Sequence, residues 1–190
     1  MKKTTRQKLI DATFEEVYSH GYQGAALSDI LTKAGVHKGS MYHYFGSKKD
    51  MALTALKEKI YAKFLERYGK ILELQSGYLE QFIKGIEDTE LRDLRRGCPI
   101  ANIIQEMSNL DDDFHQTMKA IYAEFREYIK KILDKAIEKG EMKHCDTQKL
   151  ALFITATLEG AILSTKASGE IDDYENVVEI LISHIWQYKI

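Results

Sequence analysis

Residues 21–49 read GYQGAALSDILTKAGVHKGSMYHYFGSKK, and their spacing decides how the rest of the chain is read. Leu27, Ile30 and Leu31 mark a short helix that ends at Ala34-Gly35, and Val36 links it to a second short helix from about Lys38 to Phe45. With Leu27, Ile30, Leu31, Val36, Met41 and Phe45 at core spacing, the pair has the form of a helix-turn-helix whose second helix suits a major groove. Its outward face carries Lys38, Ser40, Tyr42 and His43, flanked by Tyr44 and followed by Lys48 and Lys49. Ammonium groups neutralise phosphate, Gly39 allows close backbone approach, and hydroxyl or imidazole tips reach phosphates or base edges. The competing reading is a solvated helical face with stray aromatics. Two adjacent exposed aromatics on so short a helix count against it.

Upstream, Leu9, Ile10, Thr13, Phe14, Val17 and Tyr18 recur at helical spacing from about Thr5, and His20-Gly21 supplies a stop. Downstream, Ser47-Lys48-Lys49-Asp50 has the form of a capping box that opens a long helix toward Leu74. The domain boundary is placed there, giving a three-helix DNA-binding domain over 1–46 and an effector-binding and dimerisation domain over 47–190. Helical patterns continue over 78–89, 99–108, 114–139, 147–167 and 174–188, with Gly140, Gly169 and the Asp111-Asp112-Asp113 run as punctuation. The expected fold is all-α, the second part an antiparallel helical bundle.

Composition agrees. The 190 residues are 44% hydrophobic and 29% charged with 12 Gly and 1 Pro, a mix that favours long helices. The formal net charge of −2 is uneven: residues 1–50 hold 8 basic and 5 acidic side chains, the remainder 19 and 24. Only the front end suits phosphate. Without an apolar leader or an unbroken apolar run of about 18 residues, a cytoplasmic protein with no membrane partner is expected. Cys98 and Cys145 are then read as free thiols.

The 21–49 segment resembles the DNA-binding part of the TetR family of bacterial regulators, in which a Gly-Tyr and a Thr-rich helix start precede AGV-x-KG-[ST]-x-YHYF-x-SK. The resemblance implies that Lys38, Gly39, Ser40, Tyr42, His43 and Lys48 approach DNA. It also implies a homodimer, most simply a repressor, on a palindrome-like double-stranded operator, with the remaining chain binding an effector and dimerising. Two departures stand out. Ala25 and Ala26 replace the usual capping Thr or Ser, and a lost cap costs about 1 kcal/mol; His37 stands where a capping Ser is usual.

In the C-terminal part, Ala156, Gly160 and Ser164 form a narrow small-residue stripe beside Phe153, Leu158 and Ile162. A mid-helix Gly costs about 1 kcal/mol against Ala, so close helix approach is expected. With Val177, Val178, Leu181, Ile182, Ile185 and Trp186 the stripe suits half of an intersubunit bundle; the interface is assigned to Phe153, Ala156, Gly160, Ser164, Leu181 and Ile185. The alternative is that both helices complete the protomer core. Tyr61, Phe64, Phe82 and Phe125, with Cys98, Asn102, Gln105 and Glu159, are candidates for a small-molecule effector site.

Catalytic, cofactor and metal roles find no motif: HExxH, CxxC, a phosphate loop and a nucleophile elbow are all missing. Glu106 with His115 lacks ligand spacing, and His144-Cys145-Asp146 reads as an interhelix loop. Pro99 is expected at a first helical position, placing Cys98 at a helix N-cap beside Arg95 and Arg96, surroundings that favour thiolate. Gly97-Cys98 with Asn102 and Glu106 also resembles a TetR subgroup that answers electrophiles, oxidants or small carboxylates. The alternative for Cys98 is packing.

Overall fold

Thr4 opens the first helix by accepting the Gln7 N–H at 3.1 Å. In the computed structural model, which describes residues 3–190, this helix, α1, runs Thr5–Gly24. Its inner face is the one periodicity predicts: Leu9, Ile10, Thr13, Phe14, Val17 and Tyr18 are buried. The expected stop is a break rather than an end, because Gly21 adopts φ 74° and ψ 169° before one further turn closes at Gly24. Helix α2 (Leu27–Ala34) ends at Gly35, whose φ of 61° lets Val36 N–H return to the Leu31 carbonyl at 3.0 Å. Helix α3 (Lys38–Tyr42) is shorter than expected, although Phe45 N–H still bonds Met41 O at 3.0 Å.

Both sequence departures have their predicted consequence. Neither Ala26 nor His37 gives its helix a side-chain cap. Instead, Ile30, Met41 and Phe45 are buried, each burial worth about 1.5–3 kcal/mol.

Ser47 Oγ accepts the Asp50 N–H at 3.0 Å and starts α4 (Lys48–Phe64). The Asp50 carboxylate reaches Gly46 N–H at 2.9 Å rather than Ser47, so the box is displaced by one residue. The long helix expected toward Leu74 contains a π-helical turn over Leu65–Gly69 before α5 (Lys70–Leu72). Next come α6 (Tyr78–Glu87), α7 (Pro99–Met107), α8 (Asp112–Glu138), α9 (Thr147–Ser168) and α10 (Asp172–Trp186). Asp111 caps α8 by accepting from Asp113 and Phe114 N–H, and Asp146 caps α9 through Lys149 N–H at 3.0 Å. Among the described residues the only β pairing is an isolated bridge between Met142 and Lys189.

Packing groups the chain differently from a linear cut near residue 47. One compact unit comprises residues 1–62 and 99–121, the other 63–98 and 122–190. In the first, α1 packs on α2 and α7. In the second, α9 packs on α10 and α10 on α6. The second core includes Phe82, Ile86, Ile154, Leu158, Tyr174 and Val178, and the Tyr174 hydroxyl donates to Ile86 O at 2.8 Å.

Helix α9 is apolar enough over 18 residues, at a mean hydropathy of 1.3, to cross a membrane by length and composition. Its composition is also that of a helix packed on one side and apolar on the other: Leu152, Phe153 and Leu163 are exposed while Ile154, Leu158 and Ala161 are buried.

Candidate nucleic-acid interface

Helix α3 has one anchor and one open face. Met41 is fully buried, whereas Lys38, Gly39, Ser40, Tyr42, His43 and Tyr44 are exposed together, Tyr42 by 52% and Tyr44 by 43%. The Lys38 ammonium lies 6.0 Å from the Tyr42 ring centre, and the His43 and Tyr44 rings meet edge to face at 5.0 Å. Beyond its own helix backbone and chain neighbours, no heavy atom of the described residues lies within 4 Å of where a Gly39 side chain would begin. Cationic, hydroxyl, imidazole and phenol groups thus share one unobstructed face, the set that phosphate and base-edge contacts need.

Lys48 is the exception. Expected at the phosphate backbone, it is half-buried and donates to Tyr22 O at 2.6 Å, with its ammonium 4.4 Å above the Tyr22 ring. Burial lowers its pKa, against the charge of Glu106. Lys49 bridges Asp111 at 3.0 Å and Asp113 at 2.6 Å, and those bonds raise its pKa. The Tyr22 ring packs on Phe114 at 4.5 Å. Lys33 of α2 reaches Glu16 of α1 at 2.6 Å; this bond, ahead of the opposing effect of burial, holds the Glu16 carboxyl below its usual range.

Sequence reasoning missed Glu106 here. It considered that residue as a catalytic candidate with His115 and as part of an effector-domain segment with Cys98 and Asn102, yet both of its carboxylate oxygens accept backbone N–H groups at Tyr22 and Gln23. The available signal was a carboxylate within the amphipathic pattern of α7 and a Gly-Tyr pair with no local acceptor. Nothing in the sequence joins them.

In the second unit, Phe64 stacks on Phe125 at 5.6 Å, and Tyr68 and Tyr128 complete the aromatic cluster. Phe82 is buried on α6. Burial pushes the Glu159 carboxyl up, opposed by a hydrogen bond with Cys98 and by the charge of Arg92. Its Oε2 is buried without a hydrogen-bond partner among the described residues. Tyr61, Asn102 and Gln105 belong to the first unit, and Gln105 is exposed. The positive surroundings expected for Cys98 are thinner than its neighbours suggested, because Arg96 pairs with Asp93 at 2.6 Å. The Cys145 thiol is pushed up by burial and then by Asp146 and Asp134.

The interface residues divide. Phe153, Ala156, Gly160 and Ser164 are exposed on α9, and Gly160 has no neighbour within 4 Å of its would-be side chain. Leu181 and Ile185 are 1% and 0% exposed, so their assignment to a surface is corrected: they face inward and complete the protomer core. The outer side of α10 instead shows Ile180, 72% exposed, and His184, whose ring meets Phe153 at 5.2 Å.

Comparison with known proteins adds two family models, one described as bacterial regulatory proteins of the tetR family, matching residues 9–55, and one as the tetracyclin repressor-like C-terminal domain, matching residues 77–181. The transcriptional regulator AcuR of Cereibacter sphaeroides is 32% identical over 84% of this chain and 75% of its own. The HTH-type transcriptional repressor NemR of Escherichia coli is 27% identical over 92% and 90%. A TetR-family regulator from Cytophaga hutchinsonii shares the fold, with a TM-score of 0.86 at 22% identity over 100% of this chain and 99% of that one.

Proposed function

Because this chain belongs to the TetR family of bacterial transcriptional regulators, we propose that it is a cytoplasmic homodimeric repressor that binds a palindrome-like operator and is released by a small-molecule or thiol-reactive effector. It is a DNA-binding regulator and not an enzyme. The observation that carries the operator reading is the shared exposure of Lys38, Gly39, Ser40, Tyr42, His43 and Tyr44 around a buried Met41. Burying Met41 fixes the rotation of α3, so these side chains are presented together.

Dimerisation is supported by the outer face of α9 and α10. Leu152, Phe153, Leu163 and Ile180 are large apolar side chains left exposed, and the open stripe at Ala156, Gly160 and Ser164 lets a partner helix approach closely. A self-complementary face of this kind suits a two-fold axis. Two heads so related read half-sites centred about one helical turn, roughly 34–36 Å, or a multiple of it, apart. Effector binding is assigned to the second unit, where Cys98 and the buried Glu159 carboxyl meet and Phe64 and Phe125 supply apolar surface. An effector acts by its difference in affinity between DNA-competent and released states.

Selection of bound sequences from random duplex DNA tests this reading, with sedimentation of the free protein. Recovery of a two-fold related site by a dimer is expected. A monomer at micromolar concentration, or a protein that recovers no sequence, overturns it.

A further inference from the structure

Helix α1 breaks at Gly21, whose φ of 74° and ψ of 169° start a further turn, and the first N–H groups of a new helical turn look outward for acceptors. Glu106 supplies both acceptors from 84 residues away: its Oε2 takes Tyr22 N–H at 2.9 Å and its Oε1 takes Gln23 N–H at 2.8 Å. One carboxylate oxygen per N–H is the charge-assisted form of this bond, stronger than a neutral one. The seat is tight. A Cβ at Gly21 would stand 2.6 Å from Oε2, and the φ of 74° there disfavours any other residue.

The same turn is held from its other sides. Tyr22 O takes the Lys48 ammonium at 2.6 Å, and the Tyr22 ring rests on Phe114 at 4.5 Å. Through Glu106, Lys48 and Phe114, helices α7, α4 and α8 all meet residues 21–23, and those residues lead directly into α2 and α3.

We propose that Glu106 is a positioning residue for DNA recognition, a latch that makes the 21–24 turn, and with it the reading helix, move as one body with α7. This rests on the operator-binding reading above. With the carboxylate seated, each head is held at one orientation. With it removed, the head keeps its own contacts but loses its alignment to α7. A single half-site needs no such alignment. A full operator does, because the second head binds at high effective concentration only when its geometry matches the site.

The test uses the native protein, Glu106→Gln and Gly21→Ala, with the duplex recovered by the native protein from random DNA, a single half-site, and full sites lengthened by one or two base pairs. Both variants are expected to bind the full site about tenfold more weakly, to keep half-site affinity within about twofold, and to discriminate less between spacings. Equal weakening on full and half-sites, as a fold defect would give, overturns the proposal, as does undiminished binding to the full site. Hydrogen exchange in the unmodified protein provides a measurement independent of the variants. Slow exchange at the Tyr22 and Gln23 amides is expected, and rates as fast as those of exposed loop amides overturn the latch even if the variants fail to fold. If the native protein recovers no DNA, the operator reading fails, while the exchange rates still decide whether Glu106 holds the turn.

Discussion

In residues 1–62 and 99–121, α2 and α3 begin without side-chain caps and are tied down by charged groups from elsewhere: Lys33 to Glu16, Lys48 to Tyr22 O, and Glu106 to the 21–24 turn. In residues 63–98 and 122–190, rings and aliphatic side chains dominate, from the Phe64–Phe125 stack to the α6–α9–α10 core. The difference teaches where each part is vulnerable. A short head held by directional bonds is sensitive to orientation, whereas a large apolar core is sensitive to lost volume.

The largest expected effect therefore lies in the second unit. Phe125→Ala removes a ring that contacts Phe64, Tyr68 and Tyr122, and it should cost about 3–5 kcal/mol of stability in denaturant unfolding. A loss below about 1 kcal/mol would show that the cluster tolerates a void and would weaken the contrast. Next in size is the head. Tyr42→Ala combined with His43→Ala should reduce operator affinity about a hundredfold at unchanged melting temperature, because contacts of this kind contribute about 1–3 kcal/mol each and both side chains are exposed. Unaltered binding in a fluorescence anisotropy titration would mean that another face reads the DNA.

Gly160→Arg tests the outer face of α9. The site has open space around it in the protomer, so folding should persist while sedimentation shows the dimer weakened by about tenfold or more, the cost of a buried unpaired charge. An intact dimer would move the interface elsewhere. The smallest effect is at Asp11. Partial burial opposes its ionisation, but hydrogen bonds from Lys3, Lys59 and Gln7 win and lower its pKa from 3.8 to about 2. A depressed folded pKa stabilises above the unfolded value, so the contribution is fully present above about pH 4 and fades as pH falls toward 2. Screened by solvent, it should amount to less than about 1 kcal/mol. Asp11→Asn should flatten that part of the pH–stability curve, and an unchanged curve would remove Asp11 from the acid response.

Much of the head was legible along the chain. The six inward positions of α1, the glycine after α2, the missing caps at Ala26 and His37 and the open face of α3 all follow from local periodicity or local backbone needs. On α9 the stripe of Ala156, Gly160 and Ser164 is exposed, but Leu158, grouped with it by spacing, is buried in the protomer. Helical spacing failed on α10, where apolar residues occupy more than one side: Leu181 and Ile185 look as suited to a partner as Ile180, and only the packing of α10 on α9 and α6 turns them inward.

Periodicity, turn residues and caps act within a few residues, so the amino-acid order alone determined the helices, the helix-turn-helix and the residues its second helix exposes. Which charges meet was left to the tertiary structure. Lys48 had the composition of a phosphate contact and became an internal donor, Arg96 was drawn from Cys98 to Asp93, and Glu106 found its partners at Tyr22 and Gln23. The reason is range: a hydrogen bond or ion pair depends on separations of a few ångström that the folded chain alone brings about.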